Sequence, residues 1–155
     1  MAEQGLSAYS QRELRLLGKA FTLMGDEAVD EAKKYANEVA DFARTEIVKS
    51  GYQRDKASGA VRKVVDGAKV SKSSKTGRLD IGFASQRLSG GGDTRKLWAG
   101  LEFGSNRFKQ FPSYSGRYGR GSRGWFIYPT LRQIQPELTN RWEKVADMII
   151  KKWGN

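Results

Sequence analysis

The feature that most constrains this chain is a long basic loop between two apolar segments. Leu101 and Phe103 lie at the end of the first segment, and residues 125–128 form the second. Between them lie Gly, Ser, aromatic residues and five cations, with no Asp or Glu. Ordering a connection of this length costs backbone entropy that the loop's own contacts recover poorly. We therefore expect the loop to become ordered against a partner and to carry the function.

The positive charge of the chain is concentrated in its middle. The 155 residues carry a net charge of +11. Residues 52–124 hold sixteen Lys and Arg against five Asp and Glu, whereas residues 1–51 carry a net charge of −2 and residues 125–155 carry +2. This asymmetry predicts a basic face directed at an anionic partner, either nucleic acid or an acidic protein surface.

The candidate contact residues belong to this basic middle. The cations predicted to contact a neighbouring subunit or DNA are Arg54, Lys56, Arg62, Lys63, Lys69, Lys72, Lys75, Arg107, Lys109, Arg117, Arg120 and Arg123. The predicted interface aromatics are Phe108, Phe111, Tyr114 and Tyr118. Aromatic rings can stack on exposed bases, but Tyr, Phe and Arg are also enriched at protein interfaces. Both interpretations stay open.

Composition excludes several kinds of chemistry. The chain has no Cys and no His, which rules out disulfides, zinc sites with Cys or His ligands, and Ser-His triads. Asp80 and Glu102 lie on two predicted strands and are the pair considered for a metal nuclease. The simpler expectation is an exposed strand residue for Asp80 and a Lys or Arg partner for Glu102. We expect no enzymatic activity, no cofactor and no metal site.

The N-terminal third predicts two helices. Residues 10–13 form a capping box, and apolar residues then recur at helical spacing. Gly25 and Asp26 break this helix and begin a longer one that extends to Ser50, with Gly51 at the left-handed position after it.

The remainder predicts short strands and a C-terminal helix. Residues 61–70 contain a short strand, and residues 78–85 and 96–103 alternate as the strands of an antiparallel hairpin. Residues 125–128 form a further strand that Pro129 stops. Pro136 fits the first turn of a helix that ends near Trp153.

Together these elements predict a single domain over residues 1–155 of the α+β class. N-terminal helices and a C-terminal helix pack on a small antiparallel sheet with long basic loops at 52–78 and 104–124, and residues 1–25 form a helical arm. No apolar run is long enough to span a bilayer, and the N-terminus lacks a secretory layout. We expect a protein made and folded in a cytoplasm.

The pieces on either side of the basic loop resemble the tail-component family of long-tailed bacteriophages. The first piece is Leu101-Glu-Phe-Gly-Ser105. The second is Trp125-Phe-Ile-Tyr-Pro-Thr-Leu-Arg132, followed by a Pro-initiated helix ending in Lys-Lys-Trp. The similarity spans residues 26–153, and the order of the elements is its distinctive feature. The chain departs from the family pattern in the Gly/Arg/aromatic insertion at residues 106–124.

The resemblance implies a structural role. Family members are small neck proteins, described as tail-completion or head–tail joining proteins, and they form rings, commonly hexamers, around a lumen that carries genomic DNA. The implied partners are further copies of the chain, an adjacent head-completion or connector ring, and a tail terminator or tail-tube protein, with no membrane. The implied location is the virion neck, after assembly in the host bacterial cytoplasm. Two alternatives stay open: a tail terminator that caps the tail tube, and a non-specific DNA- or RNA-binding protein.

Overall fold

A computed structural model describes residues 11–55, 59–81, 87, 92–104 and 124–154. Within these ranges the chain is mostly helical, with one small antiparallel sheet, which confirms the predicted α+β class. The elements are α1 (Gln11–Leu23), α2 (Asp26–Arg54), α3 (Ala60–Asp66), β1 (Lys69–Val70), β2 (Leu79–Asp80), α4 (Thr94–Phe103) and α5 (Tyr128–Trp153).

These elements fall into two compact units that alternate along the chain. The first unit comprises Met1–Ala43, Val70–Leu79 and Ile134–Asn155. The second comprises Arg44–Lys69 and Asp80–Gln133. The long helices α2 and α5 each contribute to both units.

The first unit has a core built from three helices. The rings of Phe21 in α1 and Trp142 in α5 meet edge to face, with centroids 6.5 Å apart. Ala28, Ala32 and Ala36 of α2 are fully buried beside them. Because these side chains are small, the neighbouring helices can approach the backbone of α2 closely. The predicted helices of the N-terminal third are thereby confirmed.

α2 is longer than the sequence predicts. It passes through Gly51 and ends at Arg54, so the prediction of a helix end near Ser50 with a left-handed Gly51 is wrong. Gly51 is buried in the second unit, and a Cβ built on it would lie 2.6 Å from Cγ1 of Val65. The glycine therefore permits close packing of α3 on α2 and does not end the helix.

Residues 61–70, which the sequence predicts to contain a short strand, form most of a helix followed by a short strand. Val61, Val64 and Val65 are buried at helical spacing in α3, and only Lys69–Val70 is extended, as β1. β1 pairs with β2, where Ser71 N donates to Arg78 O at 2.9 Å. The structure describes residues 78–81 of the strand predicted over residues 78–85, and within them Leu79–Asp80 is extended, as β2.

The second strand of the predicted hairpin is a helix. Residues 94–103 form α4, and the sheet pairs β2 with β1 instead. The carboxylate of Asp93 accepts from Arg95 N at 2.9 Å and Lys96 N at 3.3 Å, which caps the helix. The alternating apolar residues that suggested a strand also place Leu97 and Leu101 one helical turn apart.

The C-terminal helix begins earlier than the sequence predicts. Residues 125–127 form a bend and α5 starts at Tyr128, so Pro129 lies in its first turn and does not stop a strand. The proline ring favours this position because its fixed φ suits the helix and its missing N–H has no partner to lose. Pro136 lies inside the helix and not in its first turn.

None of the helices in the described part of the chain is long and apolar enough to cross a membrane.

Replacing Gly51 by Ala should destabilise the protein. The added methyl group would press against the stiff, fully buried side chain of Val65, and overpacking of this kind costs about 1–3 kcal/mol. Gly18→Ala is the matched control, because its Cβ would lie 3.8 Å from the Lys75 side chain. That change should stabilise α1 by about 0.5–1 kcal/mol. Urea unfolding of both variants measures the difference, and equal effects would contradict the close contact.

Candidate functional site

A buried carboxylate joins the two sides of the basic loop. Glu102, in the last turn of α4, has no exposed surface. Its Oε1 accepts from Phe126 N and Ile127 N, each at 2.9 Å. Its Oε2 accepts from Tyr128 N at 2.9 Å. We call this arrangement the Glu102 clamp; it comprises Glu102 and the amides of residues 126–128.

The clamp supplies the N-terminal cap of α5. The first amides of a helix have no partner within the helix, and the aligned peptide dipoles place positive potential there. The carboxylate of Glu102 accepts from the amide of Tyr128, the first residue of α5, and from the amides of Phe126 and Ile127 in the bend before it. The first bond within α5 runs from Leu131 N to Ile127 O at 3.0 Å, and Thr130 Oγ1 donates to Phe126 O at 2.9 Å. The start of α5 therefore depends on Glu102.

One glycine lets the backbone pass close to this carboxylate, and a second glycine ends α4. Gly124 has φ +80°, and a Cβ on it would lie 2.0 Å from Oε2 of Glu102. Gly104 ends α4 with φ +77°, and its N–H donates to Gly100 O at 2.7 Å. Positive φ favours glycine at both positions. These two glycines flank residues 105–123 in the sequence, and the clamp joins described residues on either side of them.

Aromatic side chains pack around the clamp. The ring of Phe103 lies 5.4 Å from that of Tyr128 and 6.4 Å from that of Trp98, measured between centroids. Trp125 Nε1 donates to Arg54 O at 3.2 Å, which ties the segment before α5 to the end of α2. The described residues on either side of the loop thus pack together with the ends of α2, α4 and α5.

Burial raises the pKa of Glu102 above its usual value, because a charged carboxylate loses its hydration in this interior. The hydrogen bonds from the amides of Tyr128, Phe126, Ile127 and Trp125 act in the opposite direction and lower the pKa. Burial is the larger of the two effects, so the pKa of Glu102 is raised overall.

Three predicted contact cations in the described part of the second unit, Arg54, Arg62 and Lys63, have partners within the chain. Arg62 forms an ion pair with Asp55 at 3.2 Å and lies 5.3 Å from the ring centroid of Tyr52. Lys63 Nζ donates to Arg87 O at 2.7 Å. Arg54 Nη1 donates to Ser50 Oγ at 2.9 Å. Lys69, in β1, is exposed.

Two more of these cations lie in the first unit. Lys72 is exposed, and Lys75 Nζ donates to Thr22 Oγ1 at 2.8 Å. The remaining predicted contacts lie outside the described residues; these are Lys56, Arg107, Lys109, Arg117, Arg120, Arg123, Phe108, Phe111, Tyr114 and Tyr118. Their role as subunit or DNA contacts stays a prediction.

The sequence did not assign the clamp to Glu102. We expected this residue to pair with a Lys or Arg, and its partners are backbone amides instead. The pairing with Asp80 at a metal site also lacks support, since both oxygens of Glu102 are occupied by amides. No group of three or more potential metal ligands occurs among the residues that the structure describes. A Glu before Phe-Gly, and a Tyr-Pro helix start, are the signals that could have indicated a cap.

No family model, curated protein or solved structure significantly matches this chain.

Replacing Glu102 by Gln should destabilise the protein substantially. The amide group of Gln has one accepting oxygen, so its NH₂ would face at least one backbone N–H of the clamp. An unsatisfied buried donor costs about 1–3 kcal/mol. Chemical denaturation measures the change, with Glu143→Gln, an exposed site on α5, as the control. Equal stabilities of the two variants would contradict the clamp.

The contribution of Glu102 to stability should fall as pH rises. Because its pKa is raised on folding, the native chain holds the proton more tightly than the unfolded chain above the usual value of 4.5. The contribution is therefore full below the unfolded pKa and is lost as pH rises through the folded pKa. Unfolding of wild type and Glu102→Gln from about pH 4 to about pH 8 isolates it. The stability difference should narrow with rising pH; a widening difference would reverse the assigned direction.

Proposed function

We propose that this chain is a non-enzymatic neck protein of a long-tailed bacteriophage, a tail-completion or head–tail joining subunit that forms a ring around the DNA channel. The observation that carries the proposal is the Glu102 clamp. It joins Glu102-Phe103-Gly104 to the segment from Trp125 to Pro129. These are the two sequence pieces on which the phage resemblance rests, and the clamp gives their pairing a physical reason.

The clamp also suits an assembly element. It joins the described residues on either side of residues 105–123, and this insert carries five cations and no acid. A loop presented from a rigid base can reach a neighbouring subunit or ring without unfolding the domain that carries it. Ring formation by closed, heterologous contacts requires two different complementary patches on each copy, and a projecting loop can supply one of them.

The excess of cations in residues 52–124 is also compatible with two alternative functions. A tail terminator would use the same kind of ring in a neighbouring position. A free DNA- or RNA-binding protein would use the excess of cations in residues 52–124 for phosphate contacts. The first alternative differs from the main proposal in its position in the virion, and the second places the protein outside the virion.

Gold-labelled antibody against this chain should mark the head–tail junction of virions of the phage that encodes it. Loss of the gene should give DNA-filled heads and separate, complete tails, since each forms independently of the joint. Negative-stain images report both results. Labelled tails without heads would favour the terminator alternative, and unlabelled virions would overturn the neck proposal.

A variant that lacks the insert tests the assembly element directly. Residues 105–123 are replaced by a short Gly-Ser linker, while Glu102, Gly104 and Gly124 are kept. We expect thermal unfolding close to that of the wild type and loss of joined particles in complementation. Joined particles in normal yield would show that the insert has no role in assembly.

A further inference from the structure

α1 carries a stripe of basic residues, although residues 1–51 as a whole have a net charge of −2. Arg12, Arg15 and Lys19 are exposed and follow one another at steps of three and four residues, which places them on one side of the helix. The opposite side of α1 carries Phe21, which is fully buried in the core of the first unit. Glu13 lies about 100° around the helix from Arg12.

The turn between β1 and β2 extends this stripe. Lys75 Nζ donates to Thr22 Oγ1 at 2.8 Å, and its Cε lies 3.8 Å from where a Cβ of Gly18 would be. Thr22 is three residues after Lys19 and seven after Arg15, so it continues the same side of α1. Lys75 is therefore brought to the end of the α1 stripe.

The turn is held in place against α2. Asn37 Nδ2 donates to Lys72 O at 3.4 Å. Gly77, at φ +89°, passes so close to α2 that a Cβ would lie 3.2 Å from Ala36 O. The side chain of Lys72 remains exposed, and the neighbouring Ser71 and Ser73 bring hydroxyl groups to the same turn.

We propose that α1 and this turn form a binding surface for the phosphate backbone of nucleic acid, independent of base sequence. We call it the α1–turn surface; it comprises Arg12, Arg15, Lys19, Lys72 and Lys75. Cations and small hydroxyl groups are the side chains that contact phosphates most often. Each neutralised phosphate releases a counterion, and this release supplies most of the affinity of non-specific binding.

Nucleic acid fits this surface better than an acidic protein does. The centre of a protein interface usually contains buried aromatic anchors, and the stripe contains none. Leu16 and Leu23 lie on the same side of α1 as the stripe, and they are 53% and 89% exposed. A protein partner would use these leucines, and the experiment therefore includes them. The inference goes beyond the proposed function, because it would hold whether or not the protein lies in a phage neck.

The salt dependence of duplex DNA binding tests the surface. The test variant changes Arg12, Arg15, Lys19 and Lys72 to Gln and keeps Lys75, which contacts Thr22. The matched control changes four exposed cations of α4 and α5 to Gln: Arg95, Lys96, Lys144 and Lys151. Both variants lose the same charge. Fluorescence anisotropy of a labelled duplex gives the affinity as a function of salt.

We expect the log–log salt slope of the test variant to fall by about 3–4 units, close to 0.9 for each lost phosphate contact. The control should change the slope by less than about 1 unit. Equal changes in the two variants, or no binding by the wild type, would overturn the inference. Loss of a protein partner on Leu16→Ser and Leu23→Ser, with DNA binding unchanged in the test variant, would assign the surface to a protein.

A measurement on the wild type keeps the inference testable if the test variant does not fold. Lysine acetylation in the presence of duplex DNA should protect Lys19 and Lys72 and leave Lys144 and Lys151 reactive. Mass spectrometry quantifies each site. Equal reactivity of all four lysines with and without DNA would overturn the inference.

Discussion

The buried carboxylate of Glu102 is the interaction on which the second unit depends. A charge in an apolar interior is costly unless hydrogen bonds replace its hydration. Three backbone amides do so here at 2.9 Å, and the same amides would otherwise be unpaired at the start of α5. Each partner thus offsets part of the cost of burying the other. For this reason α4, the bend before α5 and the first turn of α5 form one structure.

This arrangement links the fold to the proposed assembly role. The residues that complete the clamp stand immediately before and after the basic insert, with glycines at positions 104 and 124. The clamp can therefore fix the residues on either side of the insert, while the sequence of the insert is left free to match a proposed partner. A shorter connection could keep the same base, because the three clamp bonds run between Glu102 and residues 126–128.

The distribution of charge along the sequence differs from its distribution on the surface of the folded first unit. By sequence, residues 1–51 are slightly acidic, and the basic excess begins at residue 52. In the folded first unit, the contact of Lys75 with Thr22 brings cations from both regions to one surface. When charges are summed along the sequence, the cations of α1 are cancelled by acidic residues elsewhere in residues 1–51. For this reason the sequence analysis did not name them as candidate contacts.

The sequence by itself determined the α+β class, the two N-terminal helices, the amphipathic C-terminal helix and the lack of Cys and His chemistry. These follow from helical periodicity and composition, which are local properties. Only the tertiary structure decided that residues 96–103 are helical, that α2 continues through Gly51, and that Glu102 caps α5. Leu97, Leu101 and Phe103 fit a strand and a helix equally well by spacing alone. Two interactions favour the helix over the strand for residues 94–103. One is the cap at Asp93, and the other is the set of bonds between Glu102 and amides 24 to 26 residues later in the sequence. A buried carboxylate needs hydrogen-bond donors, and only the tertiary structure brings these amides to it.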